Sequence, residues 1–159
     1  DRQQITLREE LHFLDQYLFI QRIRFGGRLR VETQMDKTVL DVRVPALILQ
    51  PLVENAIKHG LENQLGPCLI QIAAQSADAG GLLRLEVSND GPVNNANGVK
   101  IEERVGLKNT RARLEAMFGS QAALELHPLK TGGFVSRILI PRPAGAEHLS
   151  KCELQPALP

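Results

Sequence analysis

Two short hydrophobic runs that lie close together in the chain constrain its fold most strongly. Residues 69–74 (LIQIAA) and 82–87 (LLRLEV) are rich in aliphatic side chains and have the length of β-strands. Residues 76–81 (SADAGG), which separate them, are rich in turn-forming residues, so we predict a β-hairpin. Similar patterns predict three further strands, over residues 28–36, 123–129 and 134–140.

Helical patterns accompany these strands. Thr6 and Glu9 have the spacing of a capping box, and hydrophobic residues follow at helical spacing up to Phe25, so the first helix should end near Gly26 and Gly27. The remaining predictions are a short edge strand over residues 39–42, a second helix opened by Pro45, and a third helix over residues 106–118. Strands in succession with separate helices predict an α/β two-layer sandwich, with one mixed, mostly antiparallel sheet and helices on one face.

The composition disfavours several classes of function. At 159 residues, with 43% hydrophobic and 23% charged residues, the chain fits one globular domain. A net charge of +1 and an aromatic content of 4% disfavour nucleic-acid binding. Cys68 and Cys152 are far apart and outside any Cys/His cluster, which disfavours a disulfide scaffold or a zinc site. No hydrophobic run approaches the roughly 20 residues of a membrane-spanning helix.

Residues 53–60 (VENAIKHG) carry the strongest functional signal. They follow the hydrophobic residues 44–49 and are predicted to lie in the middle of an amphipathic helix. At the helical repeat, one face of this helix carries a carboxylate, an amide, an ammonium and an imidazole, those of Glu54, Asn55, Lys58 and His59. An amide oxygen suits Mg²⁺, which takes few protein ligands beside phosphates, and a lysine suits phosphate as a point charge. The face is therefore typical of a site for a metal-bound nucleotide.

The same residues also fit a purely structural interpretation. Glu54 and Lys58 are four residues apart, in the order that favours a surface ion pair. His59 and Gly60 fit the end of a helix, where a cation and a glycine are common. The octet alone leaves both interpretations open.

Two later motifs supply the context of the octet. Residues 89–92 (NDGP) end the second hairpin strand, and the polar, Asn-rich residues 93–105 are expected to form a mobile loop. Taken singly, the first motif is a turn and Gly106 is an ordinary helix entry. Other side chains are expected to be solvated helix charges (Arg111 and Arg113) or ordinary surface or half-buried histidines (His12 and His127).

In this order, the motifs resemble the ATP-binding Bergerat (GHKL) fold shared by sensor histidine kinases, type II topoisomerases, Hsp90-type chaperones and MutL-type repair proteins. Residues 49–60 (LQPLVENAIKHG) are similar to the N box of LytS-type sensor histidine kinases. The lead-in TLREEL at residues 6–11 and the later GLKNTRARL at residues 106–114 fit the same group. The resemblance covers roughly residues 6–141 and implies the catalytic, ATP-binding domain of such a kinase.

The resemblance implies phosphate-binding roles along two helices. Asn55 would coordinate the Mg²⁺ that bridges the ATP phosphates, and Lys58 and His59 would lie along the phosphates and the ribose. Glu54 would orient the accepting imidazole or a metal-bound water, although an ion pair with Lys58 explains this carboxylate equally well. At the start of the third helix, backbone N–H groups and one ammonium would face the phosphates, those of Gly106, Leu107 and Lys108.

The resemblance also implies a pocket for the adenine base. Asn89 falls where the family usually has an aspartate that accepts a hydrogen bond from the adenine amino group, and Gly91 would let the backbone approach the base. Gly132 and Gly133 resemble a late glycine pair at the pocket rim. Replacing a charged acceptor by an amide weakens a hydrogen bond by about 1–3 kcal/mol. Because Val93 and Arg104 also stand where the family has glycines, weak or conditional ATP binding stays open.

The resemblance sets expectations for the whole protein. Residues 1–27 would be a helical lead-in joined to the ATPase domain, residues 28–141 the ATP-binding domain, and residues 142–159 a disordered tail. Since the sequence starts without Met, we expect a piece of a longer protein, a cytoplasmic domain of a membrane-anchored bacterial sensor kinase.

The accepting histidine would lie upstream, in a dimerisation segment, which predicts a homodimer that passes the phosphoryl group to a response regulator. The fragment itself would bind ATP and Mg²⁺ without phosphorylating itself. Two alternatives remain: a degenerate Bergerat domain that acts as a scaffold or regulator with weak or no ATP binding, and a serine kinase of the anti-sigma type.

Overall fold

The computed structural model describes residues 3–62, 64–91 and 105–142. Within these ranges the chain forms three α-helices and seven β-strands. The helices are α1 (Leu7–Phe25), α2 (Gln50–Ile57) and α3 (Val105–Phe118). The strands are β1 (Gln4–Thr6), β2 (Leu29–Met35), β3 (Arg43–Pro45), β4 (Cys68–Ala77), β5 (Leu82–Asn89), β6 (Ala123–Pro128) and β7 (Phe134–Pro141).

The main sheet has five strands in the order β2-β4-β5-β7-β6. β2 runs parallel to β4, and every other neighbouring pair is antiparallel. The predicted hairpin is formed by β4 and β5, whose residues Ala77 and Leu82 face each other at the turn. The predicted mixed, mostly antiparallel sheet of an α/β sandwich is therefore confirmed.

The two faces of the sheet differ in polarity. On one face, Leu83, Leu85 and Val87 of β5 are buried in the hydrophobic core that the helices share. On the other face, Arg137 of β7 and Glu86 of β5 form an ion pair with 2.6 Å between Nε and Oε1. Alternation along the strands thus places the helices over the apolar face only. The edge strands β2 and β6 carry exposed polar side chains, among them Arg30, Glu32 and His127.

Helix α1 begins and ends as its sequence predicts. The Thr6 hydroxyl accepts a hydrogen bond from the Glu9 N–H, and the Glu9 carboxylate accepts one from the Thr6 N–H, which completes the capping box. The helix ends at Phe25, before Gly26 with φ 56°. Its buried face joins α2 and the sheet in one core, through Leu7, Leu14 and Leu18.

Two predictions between β2 and α2 are wrong. Residues 39–42 do not form an edge strand, because the Asp36 side chain accepts from the Thr38 N–H and closes a local 3-10 turn at Lys37–Val39. The strand in this region is β3, which pairs with β1 in a separate two-stranded sheet. Pro45 ends β3 instead of opening α2.

Pro51 takes the place at the start of α2 that was predicted for Pro45. A proline fits the first helical turn because the N–H that it lacks has no partner within the helix there. Between the two prolines, Leu47 adopts a left-handed backbone conformation with φ 56°.

The predicted mobile loop, apart from Val105, and the predicted disordered tail beyond Arg142 lie outside the described residues. Val93 and Arg104 lie outside them as well. In the described ranges, no helix has both the length and the hydrophobicity to span a bilayer.

Candidate functional site

A cleft of about 750 Å³ opens between the three helices. Helix α1 supplies one wall, α2 and the segment after it a second, and the start of α3 the third. The lining residues are Tyr17, Gln21, Arg24, Pro51, Glu54, Asn55, Ile57, Lys58, Glu62, Val105, Gly106, Leu107 and Lys108. Among them are three cationic side chains and two carboxylates, so the cleft has a small excess of positive charge.

The sequence predicted that the octet lies in the middle of an α-helix, and this prediction is wrong. Helix α2 ends at Ile57, and residues Lys58–Glu62 continue as a π-helical segment. In a π-helix each N–H bonds five residues back, so the angular spacing of side chains changes at Lys58. Glu54, Asn55 and Lys58 line the cleft together, but the next residue, His59, is not part of the cleft lining.

Asn55 is the most unusual residue in the cleft wall. Its side chain is buried, with a relative exposure of 5%. The amide oxygen Oδ1 has no hydrogen-bond partner among the described residues. An unsatisfied buried amide oxygen is unfavourable by about 1–3 kcal/mol. Asn55 belongs to the cleft lining, and an amide oxygen is a hard ligand of the kind that Mg²⁺ accepts.

Glu54 and Lys58 do not form the predicted ion pair. The Glu54 carboxylate instead accepts a hydrogen bond of 2.8 Å from the Gln50 amide, one turn earlier on α2. Among the described residues, Lys58 has no carboxylate within ion-pair distance, so its ammonium group is available to an anion in the cleft.

His59 lies outside the cleft lining in the part of the chain that the structure describes. Its ring packs against the Phe134 ring at a centroid distance of 5.2 Å. Phe134 is the first residue of β7 and faces Asn89 in the sheet register. The predicted shared face of the octet is therefore divided, with the first three polar residues at the cleft and the imidazole near the end of β5.

The end of β5 is closely packed around glycines. Asn89 is 2% exposed, and its amide donates a 3.1 Å hydrogen bond to the Asp90 carbonyl oxygen. A Cβ at Gly133, where φ is 82°, would overlap the backbone carbonyl oxygen of Asn89. A Cβ at Gly91 would lie 3.5 Å from Cα of Gly133. Backbone segments approach each other here because these glycines have no side chain.

The start of α3 forms the wall opposite α2. Gly106 lies near Pro51, since a Cβ at Gly106 would be 3.7 Å from that of Pro51. Leu107 is buried at 1% exposure, whereas the Lys108 side chain is exposed to solvent. Residues 106–108 lie in the first turn of α3, where backbone N–H groups lack helical acceptors and the helix dipole attracts anions.

The α1 wall was missed as part of the site. Tyr17, Gln21 and Arg24 line the cleft, and their spacing of four and three residues places them on one helical stripe. Burial, followed by the nearby Glu54 carboxylate, raises the pKa of Tyr17 to about 12, so its hydroxyl remains a proton donor. Arg24 forms an ion pair of 3.3 Å with Glu62. The stripe spacing was visible in the sequence, but not the neighbouring helix that it faces.

The side chains predicted to be ordinary divide into two groups. The histidines fit the prediction, because His12 and His127 are exposed and bond only to nearby polar side chains. The arginines of α3 do not, because both bind backbone carbonyl groups. Arg111 donates to Leu124 at 2.8 Å, and Arg113 donates to Ala46 at 2.7 Å.

The described ranges contain neither a disulfide bond nor a cluster of side chains that could hold a metal ion. Cys68 is buried and unpaired with another cysteine, and burial raises the pKa of its thiol to about 12. Among the described residues, no three His, Cys, Asp or Glu side chains converge as a metal site.

Comparison with known proteins agrees with this architecture. Sensor histidine kinase YesM of Bacillus subtilis (strain 168) is 35% identical over 147 residues, which are 90% of this chain and 24% of YesM. Sensor protein LytS of the same organism is 30% identical over 130 residues, 77% of this chain and 22% of LytS. No family profile matches the chain.

Solved structures show the same fold at lower sequence identity. The catalytic domain of histidine kinase ThkA superposes with a TM-score of 0.62 at 22% identity, over 87% of this chain and 94% of that chain. Histidine kinase AdeS of Acinetobacter baumannii gives a TM-score of 0.63 at 12% identity, over 87% of this chain and 66% of that chain. The fold is therefore that of a histidine kinase catalytic domain.

The chain belongs to the sensor histidine kinases of the LytS and YesM type. It spans about a quarter of the length of YesM and of LytS.

Proposed function

We propose that the cleft binds ATP with Mg²⁺ and that the domain presents the γ-phosphoryl group to a histidine located upstream of this chain. The observation that carries this proposal is the buried Oδ1 of Asn55, a residue of the cleft wall, which has no hydrogen-bond partner among the described residues. A divalent ion bound there would satisfy an oxygen that is otherwise unfavourable by about 1–3 kcal/mol. Mg²⁺ needs only one or two protein ligands, because water and phosphate oxygens complete its coordination.

The phosphate end of the proposed site consists of Asn55, Lys58, Gly106, Leu107 and Lys108. Asn55 holds the cation, and Lys58 and Lys108 attract the phosphates from opposite walls. The backbone N–H groups of Gly106 and Leu107 bind phosphate oxygens at the start of α3. When bound, Mg²⁺ neutralises charge that develops on the transferred phosphoryl group. Phosphoryl transfer depends mainly on such positioning and charge neutralisation, which these residues are suited to provide.

Glu54 is proposed to orient the accepting imidazole. Its carboxylate is exposed at the cleft and is held by the Gln50 amide, not by Lys58. It can therefore accept a hydrogen bond from an incoming ring N–H while Lys58 remains on the phosphates. This arrangement supports a role for Glu54 over the alternative of a surface ion pair.

The base end of the proposed site consists of Asn89, Gly91 and Gly133. Here the Asn89 side-chain oxygen would accept a hydrogen bond from the adenine amino group, since the amide nitrogen already donates to Asp90. The two glycines leave room beside the Asn89 backbone. The His59 ring, which packs against Phe134, would lie beside the ribose.

The same proposal covers the protein beyond this chain. We expect residues 1–27 to link an upstream dimerisation and phosphoacceptor segment to the ATP-binding domain at 28–141, followed by a disordered tail at 142–159. The complete kinase would be a membrane-anchored homodimer with this domain in the cytoplasm. Its phosphoryl group would pass to a response regulator.

The test compares two asparagines by isothermal titration with a non-hydrolysable ATP analogue and Mg²⁺. Asn55→Ala should weaken binding at least about tenfold, because the cation loses its protein ligand. The ligand-free stability of this variant should be unchanged or higher, because an unsatisfied buried oxygen is removed. Asn109→Ala serves as the control, since Asn109 is exposed on α3 outside the cleft lining.

Equal affinity of Asn55→Ala and the wild-type domain would refute the proposed cation site. Absence of nucleotide binding by the wild-type domain would favour a degenerate domain that acts as a scaffold or regulator.

The role of Glu54 is tested after the upstream segment has been restored. Glu54→Gln should slow formation of phosphohistidine while leaving the affinity for nucleotide intact. The isolated domain, incubated with labelled ATP, should form no phosphohistidine. A serine kinase of the anti-sigma type would instead transfer the label to a serine of a partner protein.

A further inference from the structure

The segment between β3 and α2, residues 46–49, is held from two sides by charged side chains. From α1, the buried carboxylate of Glu10 accepts the N–H of Leu47 at 2.7 Å and the N–H of Leu49 at 2.8 Å. From α3, Arg113 donates to the carbonyl oxygens of Ala46 at 2.7 Å and of Leu47 at 3.3 Å. Leu47 therefore bonds to α1 through its N–H and to α3 through its carbonyl group.

The backbone at Leu47 indicates that this double attachment is under constraint. Its φ of 56° lies in the left-handed region, which a side chain with a Cβ rarely adopts. Such conformations persist where the surroundings fix them, and they concentrate near functional sites. The Leu47 side chain is 49% exposed, so core packing does not explain the conformation. The hydrogen bonds from the two sides do.

The charge of Arg113 also acts on the Glu10 carboxyl. Burial raises the pKa of the Glu10 carboxyl, while the N–H groups of Leu49 and Leu47 and the charge of Arg113 act in the opposite direction. The charge of Arg113 is the smallest of these influences, so the two residues are linked mainly through the backbone segment that both bind.

This cluster connects the three helices that line the cleft. The held segment leads directly into α2, which carries Asn55. Arg113 lies about one and a half turns after Lys108 on α3, and Glu10 lies two turns before Tyr17 on α1. A shift of either side chain would therefore change the separation of the cleft walls.

We propose that Glu10 and Arg113 are positioning residues that set the separation of α2 and α3 for the nucleotide phosphates. This inference rests on the proposed function, because it assigns a consequence for nucleotide affinity. Neither residue lines the cleft within the described part of the chain, so both act through the segment 46–49 and the helices that it joins.

The two residues differ in what their loss leaves behind. The Leu49 N–H is fully buried and has no access to water if Glu10 is removed, so Glu10→Gln threatens folding. Ala46 and Leu47 are partly exposed, and water can replace Arg113 at their carbonyl groups. Arg113→Gln is therefore the informative variant.

The experiment compares Arg113→Gln with Arg111→Gln by titration with a non-hydrolysable ATP analogue and Mg²⁺. Both variants lose one cation from α3 and one or two hydrogen bonds to backbone carbonyls, but Arg111 binds β6 and not the segment 46–49. Measurements are made well below the melting midpoint of each variant, where circular dichroism shows native protein. The dissociation constant then reports the geometry of the native cleft and not the fraction of folded protein.

We expect Arg113→Gln to raise the dissociation constant about tenfold and Arg111→Gln to leave it unchanged. Arg113→Lys should recover part of the affinity, because one ammonium group can reach one of the two carbonyl oxygens. Glu10→Gln, where it folds, should weaken binding by a similar factor.

Unchanged affinity of Arg113→Gln, or an equal loss in Arg111→Gln, would overturn the positioning role while leaving the proposed function intact. Absence of binding by the wild-type domain would overturn the proposed function and this inference with it.

Discussion

The phosphate end and the base end of the proposed site differ in the atoms that they present. At the phosphate end, residues from three separate helices line an open cleft, and the buried Oδ1 of Asn55 has no hydrogen-bond partner among the described residues. At the base end, the backbone of Asn89 packs directly against Gly133, and the Asn89 amide already bonds to its neighbour. Ligand binding at the phosphate end would depend on charge, whereas the shape of the base end depends on glycines that have no side chain.

This difference indicates how each end responds to change. A charged residue at the rim of an open cleft can be replaced with little effect on stability, because water solvates what remains. A glycine where two backbone segments pack closely cannot be replaced without loss of stability, because any added atom displaces the backbone. Substitutions at the two ends should therefore separate nucleotide affinity from folding stability.

The largest expected difference between the two ends is in their response to one added methyl group. Gly133→Ala should lower the free energy of unfolding by about 3 kcal/mol or more, because its Cβ overlaps the Asn89 carbonyl and its φ is 82°. Gly106→Ala is the matched change at the phosphate end, where the new Cβ lies at ordinary contact distance from Pro51. It should leave stability unchanged or raise it by up to about 1 kcal/mol, because alanine favours helix. Urea unfolding measures both, and similar losses would remove the contrast between the two ends.

An intermediate effect is expected from restoring a carboxylate at the base end. Asn89→Asp replaces a donor to the Asp90 carbonyl with a buried charge, which should lower stability by about 1–3 kcal/mol. The same charge should strengthen binding of an adenine nucleotide about tenfold, through a stronger hydrogen bond from the amino group. Gln34→Glu makes the same change of amide to carboxylate at an exposed position of β2, outside the cleft lining, and should change neither property. A stable Asn89→Asp variant with unchanged affinity would show that position 89 does not contact the base.

A smaller effect is expected at the α1 wall of the cleft. Arg24→Gln leaves two cationic side chains against two carboxylates and should weaken nucleotide binding about threefold to tenfold, less so at high salt. Stability should hardly change, because the ion pair with Glu62 is largely exposed. Arg22→Gln removes an exposed cation outside the cleft lining and serves as the control. Equal effects of both variants would mean that only the overall charge matters.

The smallest effect on stability near neutral pH concerns ionisation of the thiol behind the base end. Cys68 lies 3.4 Å from the Asp90 carbonyl oxygen, and burial raises its pKa from 9.0 to about 12. Because the folded state favours the neutral thiol, its contribution to stability is complete below pH 9 and declines only as the pH rises towards 12. Alkylation of Cys68 at pH 8.5 should therefore be at least about a hundredfold slower in native protein than in urea, as followed by mass spectrometry. Rapid native alkylation would show that water reaches the base end freely.

Local chemistry explains which parts of the fold were predictable. The capping box of α1, its end at Gly26 and the hairpin of β4 and β5 all depend on residues that are close in sequence. The pairing of β1 with β3 was missed because its two short strands are far apart in the chain. The end of β3 at Pro45 follows from that pairing, which the proline itself does not indicate.

The positions of the candidate site residues were predictable to a similar extent, whereas their roles stay predictions. The sequence brought Glu54, Asn55 and Lys58 to one surface correctly, because a regular helix repeats every 3.6 residues. His59 escaped this argument, since the change to π-helical hydrogen bonding leaves no clear pattern in the sequence. The acceptors of Arg113 were equally hidden, because they are backbone carbonyl groups 66 and 67 residues away.

The polar character of the edge strands has a consequence for the behaviour of the domain in concentrated solution. β2 exposes Arg30 and Glu32, and β6 ends in His127 and Pro128, so neither outer strand offers a flat apolar margin to another molecule. Charges and proline at such margins oppose intermolecular strand addition, the first step towards fibrils. The outer strands of the main sheet therefore oppose self-association of the domain through edge-to-edge strand pairing.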